Sequence, residues 1–210
     1  TEFPMGQIFT RGGKLVQMAT WSIDGGSGTD DFAVFITSEG EIAVYKGSDP
    51  GDATKWEIVG VYYVGKPVGT DPMIKYNGDL LVLVESGLFA LSKALQTSAI
   101  DRSSSLSNNI ENAFVNAASL YGTNSGWGMT IFPGGPMVLV NIPLITSTSS
   151  EQYVMNTTTQ AWAKFTGMNA YCWTVYNKEL YFGGSGGVFK AWTGYNDNGA
   201  DIILNSQCAY

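Results

Sequence analysis

Histidine is absent from this chain, and arginine and cysteine are nearly so: Arg11 and Arg102 are the two arginines, Cys172 and Cys208 the two cysteines. Without histidine the commonest general base and the commonest transition-metal ligand are missing, so a Ser-His nucleophile pair has no base. Two isolated thiols give neither a disulfide framework nor a zinc spacing. No stretch clusters lysines, and the net charge is −7. Tight nucleic-acid binding needs a basic stripe to neutralise phosphates. Its lack, with an acidic balance, favours repulsion of a passing polyanion. No apolar run approaches the about 20 residues of a membrane helix, and no signal peptide is read. Charged residues make up only 14%, which suits a surface partly covered in an assembly. The start at Thr1 and the end at Tyr210, just after an expected strand, suggest a processed or partial chain.

What the 210 residues do have is glycine, 26 of them, and 13% aromatics. Short runs of β-branched and aromatic residues are punctuated by Gly, Asn and Asp, which predicts an all-β chain. The stretch DFAVFITSEGEIAVYKGSDPGDATKWEIVG, 31–60, sets the pattern. Phe32, Val34 and Ile36 alternate with Ala33, Phe35 and Thr37. A turn at Ser38-Glu39-Gly40-Glu41 follows, then a second alternating run, Ile42-Ala43-Val44-Tyr45, and a third strand opening at Trp56. Comparable hairpins begin at Phe32, Leu80, Met137 and Leu180 and so recur about every 50 residues, as propeller blades do. Tyr76-Asn77-Gly78-Asp79-Leu80 matches Tyr176-Asn177-Lys178-Glu179-Leu180, and Trp56 loosely matches Trp162.

The expected architecture is a single β-propeller-like domain over 1–210, built of four-stranded blades at about 15–65, 66–100, 122–167 and 168–210. The second blade has no obvious fourth strand. The fourth blade is expected to end in a strand at Ile202-Ile203-Leu204. The first strand of each blade should line a central channel. A β-sandwich or a stack of irregular β-repeats is the other architecture. Residues 101–121 interrupt the series. Ile110, Phe114, Ala117 and Tyr121 lie at helical spacing, and Ser and Asn residues before Ile110 can cap a helix over about 108–120. Such a helix either simply packs on the sheets or docks a partner subunit. In the second case Asn108, Glu111, Asn112 and Asn116 are the candidate contacts.

Motifs that suggest chemistry have plainer readings. Ser48-Asp49-Pro50-Gly51-Asp52-Ala53-Thr54-Lys55-Trp56 looks like a degenerate Asp-box, a structural turn of sialidase-like propellers. Two arginines cannot supply the trio with which sialidases hold a carboxylate. Asp24, Asp30 and Asp31 flank a Gly-rich loop, but Gly26 and Gly28 stand where calcium would need oxygens. Asn196-Asp197-Asn198-Gly199 reads as a hairpin turn. Gly183-Gly184-Ser185-Gly186-Gly187 links two strands and lacks the Lys and helix of a phosphate loop. Asn156-Thr157-Thr158 is a formal glycosylation sequon. Trp21, Trp127, Trp162, Trp173 and Trp192 could stack on sugars or fill the spaces between blades. No catalytic residue, metal or cofactor is expected.

The stretch QYVMNTTTQAWAKFTGMNAYCWTVYNKELYFGGSGGVFKAWTG, 152–194, resembles the tail-hub and packaged-DNA stabilisation (tail nozzle) proteins of tailed bacteriophages. A strand ends in Met-Asn-Thr, Trp and Phe-Thr-Gly follow, and Val-Tyr-Asn-x-Glu-Leu-Tyr-Phe-Gly leads into Val-Phe. The likeness is close from Phe114 onward and loose before it, and the helix-like segment 101–121 shares in it. It implies a β-propeller domain in a virion tail subunit, usually one of a homo-hexameric ring around a channel for DNA ejection. The partners it implies are other tail subunits and the portal or adaptor, with DNA passing unbound. The location it implies is the virion tail, assembled in the host cytoplasm. The function expected from these readings is structural, not enzymatic. A carbohydrate-binding propeller for host attachment is the alternative. A glycoside hydrolase would need paired carboxylates that the sequence cannot place.

Overall fold

The alternating runs form strands where they are expected, and each group of strands is a simple antiparallel meander. The computed structural model describes residues 4–24, 29–95, 104–146, 148–196 and 199–203. The first sheet holds β1 (Leu15–Asp24), β2 (Thr29–Thr37), β3 (Glu41–Gly47) and β4 (Trp56–Tyr63). The second holds β5 (Met73–Tyr76), β6 (Asp79–Val84) and β7 (Gly87–Ala90). One helical turn, α1 (Leu91–Ala94), and a longer helix, α2 (Glu111–Tyr121), come next. The third sheet is β8 (Gly128–Phe132), β9 (Met137–Ile145), β10 (Ser149–Asn156) and β11 (Trp162–Phe165). The fourth is β12 (Cys172–Tyr176), β13 (Glu179–Gly184) and β14 (Gly187–Lys190). The chain is thus mostly β, with four antiparallel sheets and an inserted helix. Among the described residues the sheets do not close on one another.

Period-two alternation gives each inner sheet two apolar faces, and the sheets stack to bury them. Trp21, Val34, Ile36, Ile42 and Val44 of the first sheet meet Met73, Leu80, Val82 and Phe89 of the second. The other face of the second sheet, Leu81, Leu83 and Leu88, meets Val138, Val140, Ile142 and Met155 of the third. Leu139 and Val154, on the far side of the third sheet, meet Leu180, Trp173 and Phe182 of the fourth. The outer face of the first sheet is capped by Met5, Ile8 and Phe9, which lie on Phe35, Ala43 and Tyr45. Consecutive sheets also touch through their first strands: β1 lies beside β5, β5 beside β8, and β8 beside β12. The Gln17 side chain reinforces one such contact. Its amide donates to Met73 O (3.1 Å) and its carbonyl accepts from Met73 N (2.6 Å).

The N-terminal segment is held by one buried carboxylate. Glu41 accepts from the Thr10 backbone N–H (3.1 Å), the Thr10 hydroxyl (2.8 Å) and the Arg11 N–H (2.7 Å). Burial opposes its ionisation, but these donors and the Arg11 charge outweigh that and hold its carboxyl below the ordinary 4.5. The Asp-box-like turn between β3 and β4 is structural. Asp49 accepts from the Gly51 N–H, Asp52 accepts from the Thr54 N–H and hydroxyl, and Trp56 stacks on Tyr45 at 5.4 Å.

The repeat correspondences hold at the level of backbone angles. Asn77 and Gly78 turn with φ 47° and 75°, Asn177 and Lys178 with 51° and 63°. Both are tight hairpin turns of the kind in which both central residues are left-handed. Trp56 and Trp162 each start a fourth strand and lie on the N-terminal-facing side of their sheets. The expected closing strand at Ile202-Ile203-Leu204 is not formed by Ile202 and Ile203, which are outside any strand; Leu204 lies beyond the described residues.

Candidate functional site

Among the described residues the second sheet has three strands, so its outer edge, and the outer half of the third sheet that faces it, need another cover. The insertion supplies both. Residues 104–107 run along β7, where the Leu106 N–H donates to Leu88 O at 2.9 Å. Two serine hydroxyls extend that pairing. Ser107 Oγ accepts from the Leu88 N–H at 3.0 Å, and Ser105 Oγ donates to Leu88 O at 3.0 Å. Both serines are buried, and the pairing spares the Leu88 amide a desolvation penalty. Gly87 is required there, because with φ 133° a Cβ would meet Ser107 Oγ at 2.2 Å.

The helix then lies over the third sheet. Phe114, 1% exposed, sits edge-on to Tyr153 (5.2 Å) and Trp162 (5.4 Å). The Trp162 indole N–H donates to Leu106 O (3.0 Å), and that of Trp127 donates to Tyr121 O (2.8 Å), so two tryptophans fix the insertion at both ends. Burial under the helix, with the adjacent Glu151 carboxylate, pushes the Tyr153 phenol up to about 12. The helix is shorter than expected, with a single 3-10 turn at Asn108–Ile110 before it. No side chain caps α2, contrary to the expected Ser and Asn capping. The backbone of the 3-10 turn leads into it instead, with Asn108 N bonded to Ser105 O and Ile110 N to Ser107 O.

The opposite face of the helix is open. Asn108, Asn112 and Asn116 are exposed; Asn112 and Asn116, one turn apart on α2, form a polar ridge that Asn108 of the 3-10 turn precedes. Glu111 is half-buried and sits beside that ridge, in the first turn, where a carboxylate complements the helix dipole. Val115 and Leu120, 40% and 70% exposed, add apolar area. A shallow depression of ≈ 470 Å³ adjoins the helix, lined by Glu85, Val115, Ala118, Ser119, Gly122 and Thr123. The sequence offers Asn108, Glu111, Asn112 and Asn116 as contacts and sets Leu120 with Ala113 at helical spacing, but it misses Val115 and this depression. The signal for Val115 was an apolar residue on the polar side of the helical wheel.

The other candidates disperse. Asp31 accepts from the Ser22 hydroxyl at 2.6 Å, while the side chains of Asp24 and Asp30 lie outside the described ones. Asp197 and Asn198 lie outside the described residues too. Asn156 of the sequon spends its carbonyl on the backbone N–H groups of Thr158 and Thr159. Trp21 and Trp127 are buried, Trp162 and Trp173 half-buried. Trp192, 43% exposed, lies 4.5 Å from Phe132. Cys172 is a free, exposed thiol. No protein-family model matches the chain, and no curated protein matches it.

Proposed function

We propose that this chain is a structural virion protein, a subunit of a phage tail hub or nozzle ring whose propeller-like blades form part of the wall of a DNA conduit. The observation that carries this reading is the shared seam of first strands, β1 to β5 to β8 to β12, along which all four sheets lie side by side. Blades around an axis have that arrangement. The seam carries few charges, the chain as a whole is acidic at −7, and such a wall repels DNA phosphates rather than gripping them. The ridge of Asn112 and Asn116, with Asn108, Glu111, Val115 and Leu120, is the contact offered to a neighbouring tail protein. Its mechanism is mechanical, and no chemistry is assigned to it.

Negative-stain imaging and light scattering of the purified chain, alone and with portal-proximal tail proteins, test the reading. A ring around an open channel is expected, with no retention of DNA at physiological salt. A chain that stays monomeric with every such partner overturns it. The carbohydrate-binding alternative rests on the partly exposed Trp192, and a glycan array that Trp192→Ala silences would favour it instead.

A further inference from the structure

The fourth sheet repeats the second strand for strand, and among the described residues no strand covers its outer edge. Leu83 pairs with Leu88 as Gly183 pairs with Val188, and Val82 with Phe89 as Phe182 with Phe189. At β7 the outer edge is taken by residues 104–107. At β14 no strand among the described residues takes it, and all four residues of β14 are exposed, Val188 by 74% and Phe189 by 39%. The outer face of this sheet is not built as a core. Where the second sheet places Ile74, Leu81, Leu83 and Leu88, the fourth places Thr174, Tyr181, Gly183 and Val188, with Lys190 bonded to Glu179 at 2.5 Å beside them. The feature left unsatisfied is therefore the strand edge, a row of backbone donors and acceptors.

Ala191 and Trp192 turn away from that edge. After β14, Ala191 N bonds back to Leu180 O, and Trp192 packs on Phe132 and Phe165 of the third sheet. Further on, Ile202 and Ile203 stand 67% and 82% exposed and outside any strand. Two adjacent β-branched residues suit a strand, and they follow Asp201. Laid antiparallel on β14, Asp201 falls opposite Lys190, Ile202 opposite Phe189 and Ile203 opposite Val188. That register sets opposite charges together and covers both exposed apolar residues of the edge.

We infer that residues 201–203 of one copy add a strand to the β14 edge of a second copy. Donor and acceptor are different surfaces, so the contact is head-to-tail and propagates around a ring. The inference rests on the ring reading and names its subunit contact. Light scattering tests it on the full chain, whose monomer is 22.5 kDa, with two variants that touch only exposed side chains. Val188→Asp blocks the edge, and the double variant Ile202→Asp, Ile203→Asp blocks the donor. The wild type is expected to associate, and each variant alone to run as a monomer. Their equimolar mixture, which keeps one good edge and one good donor, is expected to stop at two copies. A monomeric wild type overturns the edge contact. So does association that both variants retain; that result moves the interface elsewhere, to the α2 ridge for example, and leaves the ring reading standing. A monomer whose β14 amides resist hydrogen exchange at every concentration also overturns it, since the chain's own residues then occupy the edge.

Discussion

The second and fourth sheets are one three-stranded meander occurring twice, at residue numbers offset by 100. Met73 pairs with Val82 as Trp173 with Phe182, and Tyr76 with Asp79 as Tyr176 with Glu179. Their surroundings differ. β6 is buried almost throughout and β7 nearly so, because sheets cover both faces and residues 104–107 cover the edge. β14 is exposed throughout. The same local code therefore yields an interior sheet in one place and a surface sheet in the other. The side chains on the C-terminal-facing side mark the difference: Leu81, Leu83 and Leu88 against Tyr181, Gly183 and Val188. Backbone pairing follows from turn and alternation, whereas burial follows from what lies opposite.

Phe114 gives the largest contrast. It fills the space between α2 and the third sheet, edge-on to Tyr153 and Trp162, so Phe114→Ala should cost about 3–5 kcal/mol in denaturant unfolding. Phe189→Ala, at the uncovered edge of the fourth sheet, should cost only about 1–2 kcal/mol, in keeping with its partial burial. Equal losses would mean that the fourth sheet is buried in solution. Next comes Ser107→Ala. It removes the acceptor of the Leu88 N–H in a buried site, for an expected cost of about 1–3 kcal/mol. Hydrogen exchange at the Leu88 amide should accelerate with it. An unchanged Leu88 amide would show that the serine does not stand in for a strand there.

Much of this comparison was legible in the sequence. Asn77-Gly78 between alternating runs marks a hairpin, and the match at 176–180 marks its repeat. The second unit has no obvious fourth apolar run, and among the described residues its sheet has three strands. Asn108, Asn112 and Asn116, named from the sequence as candidate contacts, are exposed. What covers the edge of the second sheet was not legible. Ser105 and Ser107 read as helix caps, because a hydroxyl that replaces a backbone group across a distant strand leaves no periodic trace. Glu111 sits beside the ridge because the helix rotates to bury Phe114. Ile202 and Ile203 have strand composition, yet pairing depends on where the chain goes after Lys190. The docking of Ala191 and Trp192 on the third sheet decides that, and alternation carries no information about it.

The two hairpin turns offer a smaller test. Gly78 adopts φ 75° at no steric cost, while Lys178 holds 63° with a side chain. A left-handed residue with a Cβ carries a penalty, so Gly78→Lys should destabilise by about 1 kcal/mol and Lys178→Gly should stabilise by a similar amount. The two changes should therefore have opposite signs in thermal unfolding. The same sign for both would mean that the turns are not equivalent.

The smallest effect concerns the tie between β13 and β14. The hydrogen bond from Lys190 holds the Glu179 carboxyl below the ordinary 4.5. Desolvation opposes this, and the Tyr181 hydroxyl at 3.1 Å assists it. A depressed carboxyl contributes to the folded state above its unfolded value and loses that contribution as the pH falls through the folded one. Acid should thus loosen this tie on the fourth sheet. The β6–β7 pairing of the second sheet has no such ion pair, because Ala90 stands where the fourth sheet has Lys190. Both groups of the pair are solvent-accessible, so the effect on global stability is small. The direct readout is the Glu179 side-chain carbonyl shift followed by NMR through an acid titration. Lys190→Met should move its midpoint up toward the ordinary value and abolish the acid response of the β14 amides. An unmoved midpoint would show that the ion pair does not persist in solution, and that backbone pairing alone holds β14 to its sheet.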